Sequence, residues 1–105
     1  MKTIVIGTLA LMVSAGFAFG SAADGKTVYT AKCAACHGAN GEGKAAIAKA
    51  MGVTMQPLGS KEVQSMSDAD LKKVITTGKG KMKAVAGVTE KQADDVVAYL
   101  RTLKE

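Results

Sequence analysis

The stretch Cys33-Ala34-Ala35-Cys36-His37 decides how the whole 105-residue chain is read. It holds both cysteines and the one histidine of the sequence. Two thiols three residues apart lie on about one helical turn, so each can form a thioether with one vinyl group of the same haem. The histidine next in the chain is then held beneath the iron and can offer it a neutral imidazole nitrogen. Ala34 and Ala35 are small enough to leave the porphyrin edge clear. Other chemistries ask for more than the chain supplies. A redox-active C-x-x-C needs a strand–helix setting that is not visible here. Zinc wants four nitrogen or sulfur ligands, and two Cys with one His fall short. A disulfide between these two residues would close a tiny loop, remove little entropy from the unfolded chain and leave His37 without a task. Covalent attachment of one c-type haem through Cys33 and Cys36, with His37 as an iron ligand, is the expectation.

Composition bears on the same question. With 48% hydrophobic and 22% charged residues the chain is neither a disordered tail nor, at this length, a large multidomain enzyme. The apolar residues are unevenly placed. Met1-Lys2 gives a positive start, Ile4 to Met12 an apolar run, and Ser14 to Ala23 a stretch rich in small residues, the layout of a secretory leader. Ser21 and Ala23 suit a cut before Asp24, and Gly20 and Ala22 suit one a residue earlier. The expected division is therefore 1–23 leader and 24–105 domain. An uncleaved anchor is the alternative, weakened by Gly7, Ser14, Gly16 and Gly20 within the run. Export would place the protein in an oxidising periplasm, with no membrane span after cleavage. Both phenylalanines, Phe17 and Phe19, leave with the leader. The remaining ~82 residues have no Trp and two aromatics, Tyr29 and Tyr99, and chains of that size rarely fold without a staple. A large flat apolar cofactor would supply the missing interior.

The domain reads as short helices joined by glycine-rich loops, all-α, with no sheet. Thr89 as N-cap and Gln92 three residues later predict a capping box, with Ala93, Val96, Val97, Leu100 and Leu103 beyond it at helical spacing. Ser67, with Asp70 three residues on, opens another helix whose apolar stripe is Leu71, Val74 and Ile75, and Gly78 ends it. A third helix is expected from about Lys26 to Ala35, and a short one over Ala45 to Ala50.

With a single histidine, two histidine ligands within one chain are impossible, and a methionine sulfur is the natural sixth ligand. Met66 precedes the cap at Ser67 and is explained by stapling against Leu71. Met51 and Met55 come soon after His37 and suit gap-filling against the cofactor. Met82 lies in Gly78-Lys79-Gly80-Lys81-Met82-Lys83, a polar loop with no helical stripe to explain an apolar side chain. It is the favoured distal ligand, with a buried apolar anchor as the bland alternative.

From about Asp24 onward the chain resembles the bacterial class I cytochromes c, small single-haem proteins. The residues that carry the likeness are Gly25, Tyr29 and Cys33 at four-residue steps, then Cys36-His37-Gly38, Gly41 and Gly43. Pro57-Leu58, Ser67 to Leu71, the Gly78-to-Met82 loop and Ala98-Tyr99-Leu100 come next, in order. The resemblance implies that the first and last helices cross at Gly25, with Tyr29 and Tyr99 packing nearby. It implies Cys33 and Cys36 as thioether residues, His37 as proximal and Met82 as distal ligand. Members often have a proline after the loop methionine where this chain has Lys83, which implies a looser loop. They also often have a proline carbonyl orienting the histidine, in the region where Lys49 stands.

The expected function is a soluble periplasmic electron carrier, not an enzyme, cycling Fe(III) and Fe(II) with His37 and Met82 as ligands. A small peroxidase-like or gas-binding haem protein with an open sixth position is the alternative, and a thiol–disulfide oxidoreductase the third reading. The formal charge is +5, or +4 once Lys2 leaves with the leader, before the haem propionates are counted. Lys79, Lys81 and Lys83 surround Met82, so a redox partner with an acidic docking surface is expected, with ordinary loop solvation as the plain alternative. Few aromatics and export argue against nucleic acid. A monomer is expected.

Overall fold

The computed structural model describes residues 20–105, so the leader expectation falls largely outside the described residues. Six helices succeed one another within them: α1 (Ala22–Lys32), α2 (Ala34–His37), α3 (Ala45–Met51), α4 (Lys61–Gln64), α5 (Asp68–Thr77) and α6 (Glu90–Thr102). Among the described residues the β-type pairing is a single isolated bridge between Lys79 and Met82. The all-α expectation holds.

Local chemistry explains most boundaries. At α6 the Gln92 amide donates to the Thr89 hydroxyl at 3.1 Å and the Thr89 amide donates to Gln92 Oε1 at 2.9 Å, the two halves of the expected box. At α5 the Asp70 amide donates to the Ser67 hydroxyl at 3.1 Å, and Gly78, at φ +81°, turns the chain out of the helix. The first helix departs from its expected span of Lys26 to Ala35. It begins at Ala22, because the Ser21 hydroxyl accepts from the Asp24 amide at 3.2 Å and Asp24 carries negative charge in the first turn. It breaks at Cys33, whose φ of −115° separates α1 from α2. The single turn α4 was not expected; Ser60, 7% exposed, caps it.

α1 and α6 cross as expected at Gly25. A Cβ there would overlap the Asp95 carbonyl and lie 3.0 Å from Tyr99 Cβ, so only glycine lets the two backbones approach. Below the crossing the Tyr29 and Tyr99 rings meet with centroids 5.2 Å apart at 52°. Ala93, Val96, Val97 and Leu100 of α6 bury against Leu71 and Ile75 of α5. Polar clasps tie the periphery. Arg101 Nη2 donates to Asp68 Oδ1 and to the Met66 carbonyl, both at 2.7 Å, while Nη1 donates to the Gln64 carbonyl at 2.9 Å. Gln64 Nε2 in turn donates to the Leu58 and Leu100 carbonyls at 2.9 Å each. These bonds hold α4 and the start of α5 against the end of α6.

Candidate functional site

α2 is one turn long and ends at His37, so its geometry depends on the fold of residues 38–44. Gly38 adopts φ +85°, and a Cβ there would overlap the Glu42 carboxylate. The chain then folds back: the Gly43 amide donates to the His37 carbonyl at 2.6 Å and the Lys44 amide to the Cys36 carbonyl at 3.1 Å. The Leu58 amide donates to the Gly41 carbonyl at 2.7 Å, bringing in the 53–58 segment as a further wall. The buried Tyr29 hydroxyl donates to the Gly38 carbonyl at 2.6 Å, which fixes the turn to α1.

The Met82 turn is positioned from the other side. The Lys79 amide donates to the Met82 carbonyl at 2.9 Å and the Met82 amide to the Lys79 carbonyl at 3.0 Å, with Gly80 at φ +59° in the turn between them. Gly78 lets this turn fold back over the end of α5, since a Cβ there would lie 2.6 Å from the Met82 carbonyl oxygen. The Val85 amide donates to the Ile75 carbonyl at 2.9 Å, and Lys81 Nζ donates to the Met51 carbonyl at 2.7 Å. The turn is thus anchored to both α5 and α3.

Cys33, Cys36, His37 and Met82 all line one cavity of about 750 Å³. Its remaining walls are largely aliphatic, among them Val53, Leu58, Leu71, Ile75 and Leu100. The structure therefore brings together the four residues singled out in the sequence. It also brings Met51, Met55 and Met66 to the same cavity, so lining alone does not separate the candidate sulfurs. Met82 lies on the turn closed by the Lys79–Met82 bridge, Met51 ends α3, and Met66 packs against the apolar core.

The residues fit a covalently held haem. Both thiols are free; Cys33 is half-buried and Cys36 exposed. Burial, and then the neighbouring Cys36, pushes the Cys33 thiol up, which keeps it protonated. Burial pulls the His37 imidazole below its ordinary value, which favours the neutral form that a metal ligand must have. His37 Nδ1 is buried with no hydrogen-bond partner, the one such side-chain atom among the described residues. No backbone carbonyl near Lys49 takes up the role that the family resemblance suggested. An orphaned buried polar atom of this kind costs about 1–3 kcal/mol. Sequence reasoning missed Gln64, Arg101 and the Tyr29–Gly38 bond; the paired Tyr29 and Gly38 were visible, but not that one ties the other.

Comparisons with known proteins show the family. The family model described as Cytochrome c matches residues 22–104. Cytochrome c-554(547) of Halothiobacillus neapolitanus is 38% identical over 92 residues, covering 81% of this chain and 99% of its own. The fold also resembles that of the KustC0563 c-type cytochrome, with a TM-score of 0.66 at 24% identity over 78% of this chain and 99% of the other. A C-x-x-C-H turn at the mouth of a large apolar cavity finds its explanation there: the chain belongs to the cytochrome c family, carries a covalently bound c-type haem with its iron, and works as a haem-based electron carrier.

Proposed function

We propose that this protein is a soluble periplasmic carrier passing single electrons between partner proteins, with Cys33 and Cys36 as the thioether residues. His37 and Met82 are its proximal and distal iron ligands. The haem, when bound, supplies the one-electron couple between Fe(III) and Fe(II), and a Met/His pair raises its reduction potential. The protein's own residues do the rest. Tyr29 and the Gly38–Lys44 fold-back hold His37, the Gly78–Met82 turn holds the sulfur, and the aliphatic walls exclude water and favour the less charged iron state.

The observation that carries this reading is the shared cavity: the C-x-x-C-H turn and the Met82 turn come from distant parts of the chain and face the same apolar space. Lys32, Lys79, Lys81 and Lys83 border it as well, a positive rim suited to an acidic redox partner. Among the described residues no helix is long and apolar enough to cross a membrane, and the leader pattern at residues 1–23 supports export.

An optical spectrum of the oxidised holoprotein tests the ligand set. The far-red charge-transfer band of a methionine–iron bond should be present in the parent and in Met51→Leu and Met55→Leu, and lost in Met82→Ala with a fall in reduction potential. A parent lacking the band and binding carbon monoxide rapidly on reduction would instead indicate an open-site haem protein.

A further inference from the structure

Asp95 is the one buried acidic side chain among the described residues, 3% exposed in the middle of α6. Its two oxygens accept from Lys91 Nζ at 3.3 and 3.1 Å, but that lysine side chain is 75% exposed and such i,i+4 pairs contribute little. A carboxylate this deep needs a stronger partner. On its buried side the partner is the backbone nitrogen of Ser21, which donates to Asp95 Oδ1 at 2.7 Å. Residues 20–25 are built around that contact. A Cβ on Gly20 would overlap the backbone and carboxylate of Asp95. The Ser21 hydroxyl caps α1 at the Asp24 amide, and the Ser21 carbonyl accepts from the Gly25 amide at 2.8 Å. A cut before Ala23 or Asp24 would delete the cap and leave Asp95 with the exposed lysine alone. A cut between Gly20 and Ser21 removes Gly20 but keeps the Ser21 cap and the Ser21–Asp95 hydrogen bond. Ala18 and Gly20 supply the small residues that leader cleavage requires at the third and first positions before it.

We propose that the leader is removed by hydrolysis of the Gly20–Ser21 peptide bond, and that the α-ammonium created on Ser21 is the counter-ion of buried Asp95. Water adds across the bond, leaving a carboxylate on Gly20 of the released leader and an ammonium on Ser21. The nitrogen already 2.7 Å from Asp95 Oδ1 thereby changes from a neutral donor to a charged one, and the hydrogen bond becomes charge-assisted. A cation at the start of a helix opposes the helix dipole; Asp24 in the first turn and Asp95 across from it offset that cost. Processing would thus complete the α1–α6 junction that Gly25 allows.

The inference rests on the export reading, and intact-mass measurement on haem-loaded protein from the periplasm of a maturation-competent host separates the two. A polypeptide of residues 21–105 plus haem is expected. A chain starting at Phe19, Ala23 or Asp24 overturns the proposal and leaves export standing; an uncleaved 105-residue chain held in the cytosol overturns the leader reading and the proposal with it. A second measurement addresses the ion pair. In the holoprotein the α-amino group should titrate above its usual value of about 7.7–8.0, and Asp95→Asn should return it to that range. The same substitution should raise the unfolding equilibrium constant roughly tenfold or more. An amine titrating alike in both proteins overturns the pairing.

Discussion

The Tyr29 hydroxyl reaches the Gly38 carbonyl at 2.6 Å from a side chain 1% exposed, and so links α1 to the residue directly after His37. Gly38 keeps a weaker bond from the Gly41 amide at 3.3 Å, so loss of the hydroxyl does not orphan its carbonyl. Tyr29→Phe should therefore cost about 0.5–1.5 kcal/mol by denaturant unfolding of the holoprotein. The same residue sets an alkaline limit. Burial, the largest cause, pushes its phenol from 10.0 up to about 12. The folded state holds this proton more tightly than the unfolded chain. The contribution is complete below pH 10 and fades as pH rises from 10 toward about 12. Unfolding curves across that window should show the parent losing more stability than Tyr29→Phe; equal losses would assign the alkaline limit elsewhere.

At the level of elements the crossing of α1 and α6 is decided by the absence of a side chain at Gly25. Inside a helix, alanine is intrinsically better than glycine by about 0.8–1.0 kcal/mol, so a substitution judged on propensity alone would stabilise α1. Here the added Cβ overlaps the Asp95 carbonyl, and the helices must separate or shift. Overpacking of this kind costs about 1–3 kcal/mol, which outweighs the propensity gain. Gly25→Ala should lower the melting temperature of the holoprotein, whereas the exposed, mid-helix Thr27→Ala should not. A stabilised Gly25→Ala would mean that the two helices are not in close contact.

At the scale of the whole fold, eight buried apolar residues among those described are arranged beside a cavity of about 750 Å³. Their burial supports the α1–α5–α6 wedge, but α2, α3 and α4 contain no buried residue of their own. Those elements face the space a haem would fill. Cys33→Ala/Cys36→Ala should accordingly be largely unfolded by circular dichroism, and a cooperative native-like fold without haem would contradict this. The lysine rim makes a second prediction at this scale. Lys79, Lys81 and Lys83 carry like charge at the turn that bears Met82, so electron-transfer rate with an acidic partner should fall as salt rises. A flat profile from low to high salt would reduce the rim to ordinary solvation.

What the sequence determined by itself is chemistry that closes over a few residues. The C-x-x-C-H spacing, the Thr89–Gln92 box, the Ser67 cap and the Gly78 stop each depend on neighbours no more than four positions away, and each was legible. The apolar stripe of α6 was legible for the same reason, as a local period. Tertiary structure decided what depends on distant partners. Ser21 begins α1 beside Asp95, 74 residues away, and Gln64 finds Leu100 across 36. Neither residue has a neighbour that announces its role. The burial of Asp95 is likewise a consequence of helices crossing at Gly25, and four methionines gather around one cavity through segments joined by the distant Leu58–Gly41 and Lys81–Met51 bonds. Short-range hydrogen bonding is written in adjacent side chains; which carboxylate is buried, and against what, is settled only when the backbones meet.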